Sequence, residues 1–600
     1  MTYRSAAIAA AIALVSLMVA PGGAQAAQEP EVRALWVDSF NPGLRSPAEI
    51  DALIERARQG NLNTIIAQVR RNAQSLYGLS LEGWVENYVP PAGFDPLQDL
   101  IAKAHAHGIE VHAWANIGAV FSGNPNVPTA SFPCRVPCDP NHLFNQHGYG
   151  VPEHENWLTR AHPTYLTGTT FSGQRTSAGV WFLDLGHPAA AQHTLDVLLH
   201  LLRNYDIDGL HLDYIRYPEM PIVSPRPPGV GLPFSTGYNP TSVARFNAAY
   251  GRTTDSLPDP WDPSWSEWRR EQVRTFVRRL YLEMLYVRPR AKLSASLITF
   301  FRGPNSVEPR TFQQTEAYYR VFQDWGGWMK EGVLDMSIPM VYKSQHIPSH
   351  VVQFREWIDF TKNAQYARHG VIGLGSYLNS LENTLVQIAE GRTASSLGAF
   401  SRGFNFFSYN ATNQAITTPP TPLRTRDEFF RALSEHEAYA PEAPFASPVD
   451  VPTMTWKTEP RAGYLLARIV GANGQAGDGA VVEIQKVGAG PGDRAIVVRA
   501  DGNGYVGAVD LPPGAYQLAI DVPGAAQRVT IPEPVVQGRV TRVVVDLSAP
   551  VRGPKVRTPH TFGANERTDR FTEASPLDEW TGREPVAEDL HPAPAPPPPD

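Results

Sequence analysis

Residues 206–218 combine an acidic side chain, a guanidinium and aromatic rings at the end of a predicted strand. Apolar residues alternate with small or polar ones up to Asp213, which predicts a short strand ending there. Barrels of alternating strands and helices carry their chemistry at strand carboxyl ends. Tyr214 and Arg216 follow, and suit a hydroxyl-rich ring. We predict that Asp213 attacks or stabilises a developing oxocarbenium ion; alternatively, it caps the loop and pairs with Arg216.

A second carboxyl group is needed for most glycosidic hydrolysis, at about 5–5.5 Å from the first for retention or about 6.5–9.5 Å for inversion. Asp38, at the end of the first predicted strand, is the best-placed partner. Glu308, Glu219 and Asp184 lie in flanking loops and are further candidates. Asp335 begins its strand, so we expect it at the opposite face of the barrel, which contributes stability.

Other strand ends and the loop after Asp213 carry side chains that could bind sugar hydroxyls or stack on a sugar face. These predicted substrate-binding residues are Arg70, His112, Trp114, Asn116, Tyr214, Arg216 and Tyr342. The alternative for each is packing, because aromatic strand residues more often fill a core than contact a ligand. The predicted groove needs no metal and no cofactor.

The elements that position these residues form an α/β pattern. Strand-like and helical segments alternate from Val32 onward, which predicts a TIM-like (β/α)8 barrel over residues 30–440. The predicted strands are Arg33–Phe40, Asn63–Arg70, Ile109–Asn116, Ile207–Asp213, Lys292–Ile298, Leu334–Met340, Val371–Tyr377 and Phe404–Tyr409. Two long irregular segments, 117–187 and 218–263, should rise over the carboxyl-terminal face and shape a groove.

The pattern changes after about Pro441. Period-two alternation separated by Gly- and Pro-rich turns predicts a small β-sandwich at residues 455–549. Residues 550–600 are polar and finally proline-rich, which predicts a disordered tail. Because eight βα units precede Pro441, we expect a chain ending there to fold by itself.

The amino terminus has the pattern of a secretory signal peptide over residues 1–26, cut after Ala26. An uncleaved anchor is the alternative, because the apolar run of residues 6–20 is only slightly short for a membrane span. We expect a secreted or periplasmic protein without stable membrane insertion after cleavage. The net charge of -7, with basic residues dispersed, disfavours nucleic acid as a partner.

The chain has two cysteines, Cys134 and Cys138, separated by three residues. An exported protein meets an oxidising environment, so we predict a local disulfide. A metal site with His142 and His147 is the alternative.

Several segments together resemble the glycosyl hydrolase-like family 10. They are Arg33–Asp38, Asn63–Arg70, Ala104–Trp114, Asp208–Pro218, Gln323–Trp325 and Ile338–Tyr342. The resemblance spans about residues 31–440, and it implies a TIM-like barrel and a glycosidase that acts on bacterial glycans, with denuded peptidoglycan strands as one target type. Segments Ala500–Tyr505 and Leu511–Tyr516 resemble carboxypeptidase-regulatory-like β-sandwich modules.

The Asp208–Pro218 segment also resembles the wider α-amylase-type superfamily. That resemblance implies that Asp213 is the nucleophile, but His211 stands where the superfamily has an arginine. An imidazolium at His211 could replace the guanidinium near neutral pH, which makes His211 a candidate catalytic residue. Alternatively, His211 is a core-facing strand residue.

Two classes of function follow from these features. The first is a secreted glycoside hydrolase that cleaves a bacterial cell-wall glycan, such as peptidoglycan, or an extracellular poly- or oligosaccharide through paired carboxylates. The second is a non-catalytic glycan-binding barrel at the cell envelope. They differ in whether a second carboxylate lies within catalytic distance of Asp213.

Overall fold

The computed structural model describes residues 29–86, 88–122, 137–163, 179–219, 236–305, 307, 309–435, 442–471, 474–490, 494–522 and 525–547. The predicted signal peptide, the predicted tail, Cys134 and Glu308 lie outside these residues. In the part of the chain that is described, no helix is both long and apolar enough to span a bilayer.

Eight parallel strands close into a barrel, which confirms the predicted fold class. They are β1 (Val32–Val37), β2 (Thr64–Arg71), β3 (Glu110–Asn116), β4 (Gly209–Asp213), β5 (Lys292–Leu297), β6 (Met336–Val341), β7 (Ile372–Gly375) and β8 (Gly403–Phe407). Each strand pairs with the next, and β8 returns to β1, with Phe406 beside Leu35. All eight overlap the predicted strands, with ends that differ by a few residues.

Helices surround the barrel. They are α1 (Pro47–Gln59), α2 (Pro96–His105), α3 (Pro188–Asn204), α4 (Pro240–Ala249), α5 (Pro263–Val287), α6 (Trp325–Glu331), α7 (Pro348–Asn363), α8 (Leu381–Gly391) and α9 (Arg426–Ser434). Six of them begin with proline, whose fixed φ and missing N–H suit a first helical position. Side chains such as Ser46 and Asp95 accept hydrogen bonds from the first free N–H groups.

Two smaller sheets follow the barrel. Their strands are β9 (Gly463–Val470), β10 (Val481–Lys486), β11 (Ile496–Arg499), β12 (Tyr505–Leu511), β13 (Tyr516–Val522), β14 (Ala525–Thr530) and β15 (Val540–Asp546). One sheet has the order β12-β9-β15 and the other β11-β10-β13-β14. Residues from both sheets, such as Leu465 and Leu518, share a core. The resemblance to carboxypeptidase-regulatory-like modules stays a prediction.

The sheets and the segment before them pack closely on the barrel. Met454 lies in an apolar cluster with Trp36 and Ile66 inside the barrel. Lys457 Nζ is 3.0 Å from Asp335 Oδ2, and both side chains are buried. Asp335 therefore lies at the amino-terminal end, as we expected. Residues beyond 441 therefore cover this end of the barrel. That a chain ending near Pro441 folds by itself stays a prediction.

Candidate active site

Asp213 is the last residue of β4 and only 5% of its surface is exposed. Its Oδ2 accepts a hydrogen bond of 3.1 Å from Trp114 Nε1, and its Oδ1 accepts one of 2.7 Å from the backbone N–H of Tyr214. Arg216 Nη1 is 3.7 Å from Oδ1. Burial raises the pKa of Asp213 to about 6, and the opposing effects of Arg216 and the two N–H donors are smaller.

The turn after β4 fixes this carboxyl group. Tyr214 has a φ of 51°, a left-handed conformation that is uncommon for a bulky residue. This turn aims the Tyr214 N–H at Asp213 and places the Arg216 guanidinium 4.3 Å from the centre of the Tyr214 ring. Asp213 thus makes the contacts expected of a loop cap, including the pairing with Arg216. It also accepts a hydrogen bond from the buried Trp114 side chain, which a loop cap does not need.

His211 lies two residues before Asp213, deeper in the barrel. Trp36 Nε1 donates to His211 Nε2 over 3.0 Å, and Ser294 Oγ lies 2.9 Å from Nδ1. Burial, helped by the neighbouring His112, holds the pKa of His211 well below its ordinary value. These contacts favour the alternative of a neutral, core-facing His211 over the imidazolium, because a nitrogen that accepts a hydrogen bond from indole carries no proton. The neutral ring supports the site from below, as a core-facing residue.

Asp38 and Asp213 each lie two residues beyond a contact that crosses the barrel interior. Trp36 and His211 meet across it, and side chains on a strand alternate between its two faces. Asp38 and Asp213 each follow that contact by two residues, so we infer that both are inward positions one layer above it. Asp38 is buried and its Oδ1 accepts a hydrogen bond of 2.9 Å from the Asn41 N–H. Burial raises the pKa of Asp38 as well.

Of the other predicted carboxyl groups, Glu308 lies outside the described residues, and Asp184 and Glu219 have structural partners. Asp184 accepts hydrogen bonds from Ser242 Oγ at 2.8 Å and from the Gly186 N–H at 2.9 Å, which fixes the loops around it. Glu219 Oε1 lies 2.8 Å from Arg320 Nη2 in a buried ion pair. Asp38 therefore remains the best candidate for the second carboxyl group.

Aromatic rings at the carboxyl end of the barrel form one group, which we call the ring cluster. It consists of Trp36, Trp114, Tyr342, Tyr377 and Phe407. Tyr342 and Phe407 stack with centres 5.5 Å apart, and both are only partly buried. Two of the predicted binding residues, Trp114 and Tyr342, thus come together, and this places aromatic faces where a sugar could stack. Sequence reasoning missed Tyr377 and Phe407, although Tyr377 ends one predicted strand and Phe407 lies within another.

Arg70 and Asn116 belong to a polar network beside the ring cluster. Arg70 forms two hydrogen bonds with Glu82, of 2.8 and 2.7 Å, and also donates to the Asn116 carbonyl. Gln68 Nε2 donates to Asn116 Oδ1 over 3.2 Å. Burial acts to raise the pKa of Glu82, but Arg70 and His193 outweigh it and bring the pKa to about 2. Glu82 was not anticipated, because nothing in its loop sequence distinguishes it.

His112 is not brought to this site. Its Nε2 lies 3.2 Å from Glu110 Oε2, and Glu110 in turn pairs with Lys292 Nζ at 2.6 Å. Glu110 and Lys292 are the first residues of β3 and β5. His112 therefore faces the amino-terminal end of the barrel, away from Asp213.

The predicted disulfide stays a prediction, because Cys134 lies outside the described residues. The alternative metal site has little support from the described histidines. His142 Nδ1 accepts a hydrogen bond of 3.1 Å from the Phe144 N–H, and His147 stacks on Trp157 at 3.8 Å. Among the residues with described positions, no group of three or more His, Cys, Asp or Glu could hold a metal ion.

A closed parallel barrel with buried carboxyl groups and aromatic rings at its carboxyl end is the architecture of many glycosidases. Residues 31–374 match the family model described as Glycosyl hydrolase-like 10. This match covers more than half of the chain, so the chain belongs to that family. Its class of activity is that of a glycoside hydrolase.

Curated relatives carry the same type of name. The chain is 23% identical over 490 residues to "Glycosyl hydrolase YngK" of Bacillus subtilis (strain 168), which covers 76% of this chain and 83% of the relative. It is 22% identical over 337 residues to "Glycosyl hydrolase DigH" of Escherichia coli (strain K12), covering 54% and 66%. One similar solved structure is the PgaB (BpsB) glycoside hydrolase domain from Bordetella bronchiseptica, with a TM-score of 0.41 and 14% sequence identity. The alignment covers 63% of this chain and 94% of that domain.

Proposed function

We propose that this glycoside hydrolase is exported and cleaves a bacterial cell-wall glycan or extracellular polysaccharide, with denuded peptidoglycan strands as one substrate. The signal-peptide pattern of residues 1–26 and the resemblance to a family acting on bacterial glycans support this proposal. The observation that carries the catalytic part is the buried Asp213 carboxyl group, whose pKa is raised to about 6 at a strand carboxyl end.

We assign the role of general acid to Asp213. With a pKa of about 6, about one-tenth of this carboxyl group holds its proton at pH 7, roughly a hundredfold more than for an ordinary aspartate. In the proposed step, Asp213 gives this proton to the glycosidic oxygen as the bond from that oxygen to the anomeric carbon breaks. This role differs from the anionic one that the sequence favoured. Asp38 in its ionised form then faces the positive charge that develops on the sugar; a water molecule adds to the anomeric carbon and gives a proton to a carboxylate, which completes the hydrolysis. The raised pKa of Asp38 leaves this step to the fraction of molecules in which Asp38 is ionised.

The neighbours of Asp213 have distinct tasks in this scheme. Trp114 Nε1 holds Oδ2 in place, and the Tyr214 N–H holds Oδ1. Arg216, at 3.7 Å, stabilises the carboxylate that remains after proton transfer. The ring cluster supplies the faces on which a sugar stacks, which orients the bond to be cleaved.

The test is Asp213→Asn, assayed on denuded glycan strands and on an aryl glycoside of the same sugar with a dinitrophenolate leaving group. We expect a loss of about a thousandfold on the strands, since the natural leaving group needs a proton. The aryl glycoside should lose little, because dinitrophenolate leaves unprotonated. Asp38→Asn should lose activity on both substrates.

Asp208→Asn is the matched control: this residue precedes β4 at the opposite end of the barrel, and turnover should not change. Equal large losses for Asp213→Asn on both substrates would make Asp213 the nucleophile. Near-normal cleavage of the strands by this variant would refute its catalytic role. Export is tested separately by fractionating cells and sequencing the mature amino terminus, which we expect to follow Ala26.

A further inference from the structure

A cleft of about 1220 Å³ opens at the amino-terminal end of the barrel. Its walls include Arg33 from β1, Arg402 just before β8, Trp456 from the segment that closes the barrel and Asp510 from the sheets. We call it the basal cleft. It lies at the opposite end of the barrel from Asp213, and the proposed catalytic step does not use it.

Aromatic rings line this cleft without being buried. The side chains of Tyr366 and Phe400 are 59% and 57% exposed, and Trp456 is half-buried. Gln365 Nε2 donates to the Phe400 carbonyl over 2.8 Å, which links the two wall segments that carry the exposed rings. Single exposed rings are common on protein surfaces, but several in one concavity provide stacking faces.

Fixed polar groups accompany the rings. Arg33 and Arg392 both bind Glu31, with N–O distances of 3.1 and 2.6 Å. Arg368 binds Asp510 at 2.7 Å and the Gly332 carbonyl at 2.9 Å. These pairs hold their side chains in place before any ligand arrives.

The charges of the basal cleft are nearly balanced. Five arginines and four carboxylates line it, and Arg402, Arg461 and Glu459 are exposed. Such a mixture offers hydrogen-bond donors and acceptors without a strong net field, which suits hydroxyl groups better than a polyanion. The volume exceeds the roughly 300–1,000 Å³ of ordinary small-molecule pockets, so several linked sugar rings fit.

We propose that the basal cleft is a second glycan-binding site, which holds a strand of polysaccharide at the end of the barrel opposite the active site. Rings such as Tyr366 and Phe400 stack on the sugars, and the arginine and carboxylate groups bind their hydroxyls. A polymer held at two places has a raised effective concentration at the active site. Soluble oligosaccharides too short to reach both sites gain nothing from the cleft.

The experiment uses the full chain carrying Asp213→Asn, so that no variant degrades the probe. Sedimentation with insoluble peptidoglycan sacculi freed of stem peptides measures polymer binding, and calorimetry with a tetrasaccharide from the same sacculi counts the binding sites. Adding Tyr366→Ala and Phe400→Ala should weaken sedimentation at least tenfold, about 1.4 kcal/mol, and should lower the number of tetrasaccharide sites from two to one. Leu397→Ala, which is equally apolar, exposed and outside the cleft, should change neither.

Arg461→Gln is an independent variant at the exposed edge of the basal cleft. It tests the cleft even if the variant with both Tyr366→Ala and Phe400→Ala has a lowered melting temperature. We expect a weaker but measurable loss of sedimentation from it. Unchanged sedimentation of all folded cleft variants overturns the proposal, as does a parent that does not sediment. Binding that collapses as sodium chloride is raised overturns it too, because that result identifies a polyanion as the ligand. Hydrolysis of the same sacculi by the unmutated chain is measured separately, so failure of the proposed function leaves the cleft result interpretable.

Discussion

Replacing Asp213 with asparagine should make the folded chain more stable at pH 7 while removing its activity. The pKa of Asp213 rises from 3.8 to about 6 on folding, because the carboxyl group is buried. At about 1.4 kcal/mol per pKa unit, the ionised group costs the folded state about 3 kcal/mol. Below pH 3.8 both states are protonated and the cost is absent; it grows between pH 3.8 and 6 and is complete above pH 6.

Asparagine removes this charge and leaves one hydrogen bond unmade. Its amide oxygen can accept from the Tyr214 N–H, but its NH2 group cannot accept from Trp114 Nε1. Leaving that buried donor unpaired costs about 1–2 kcal/mol. The expected net effect at pH 7 is therefore a gain of about 1–2 kcal/mol in the free energy of unfolding.

Urea unfolding at pH 7 and at about pH 4 tests this reasoning, since the sign should reverse. At the lower pH most of the charge penalty has gone, and the unpaired Trp114 donor outweighs the rest, so the variant should be less stable than the parent. Glu82→Gln is the matched control, because its effect on the free energy of unfolding at pH 7 should have the opposite sign. Its carboxyl group has a pKa of about 2 instead of 4.5, so removing it should lower stability at pH 7 by about 3 kcal/mol. An Asp213→Asn variant that is destabilised equally at both pH values would refute the burial cost and favour a simple loop cap.

Three further outcomes follow from the structure. Arg216→Gln removes a cation that lowers the pKa of Asp213, so the fall of kcat/KM at alkaline pH should move to higher pH. Arg216→Lys, which keeps the charge, should move this fall less. A move to lower pH would contradict the general-acid role. A chain ending at Pro441 should have a much lower melting temperature than one ending at residue 547, because it lacks the segment that closes the barrel. Calorimetry measures both melting temperatures, and equal values would contradict this prediction. Mass spectrometry of the exported protein, alkylated without reductant, should find Cys134 joined to Cys138, and two alkylated thiols would disprove the bond.

The eight strands could be predicted because their information is local. In β4, for example, the alternation of apolar with small or polar residues sets both the strand and its end at Asp213. The same reasoning placed Asp335 at the amino-terminal end and brought Trp114 and Tyr342 to the carboxyl end. The contacts that residues beyond 441 make with the barrel could not be predicted, since these residues have no barrel-like pattern and meet the barrel only through residues distant in the sequence.

The amino-acid sequence by itself determined the barrel, the position of Asp213 on it and the family. Tertiary structure decided the chemical state of the side chains. The lowered pKa of His211 depends on burial and on His112, and its ring is bonded by Trp36, which is 175 positions away. The side chain of Arg70 is held by Glu82, which lies in an irregular loop. The orientation of His112 depends on Glu110 and Lys292 in two different strands. Protonation and orientation depend on burial and on partners brought together by folding, and a local sequence pattern contains neither.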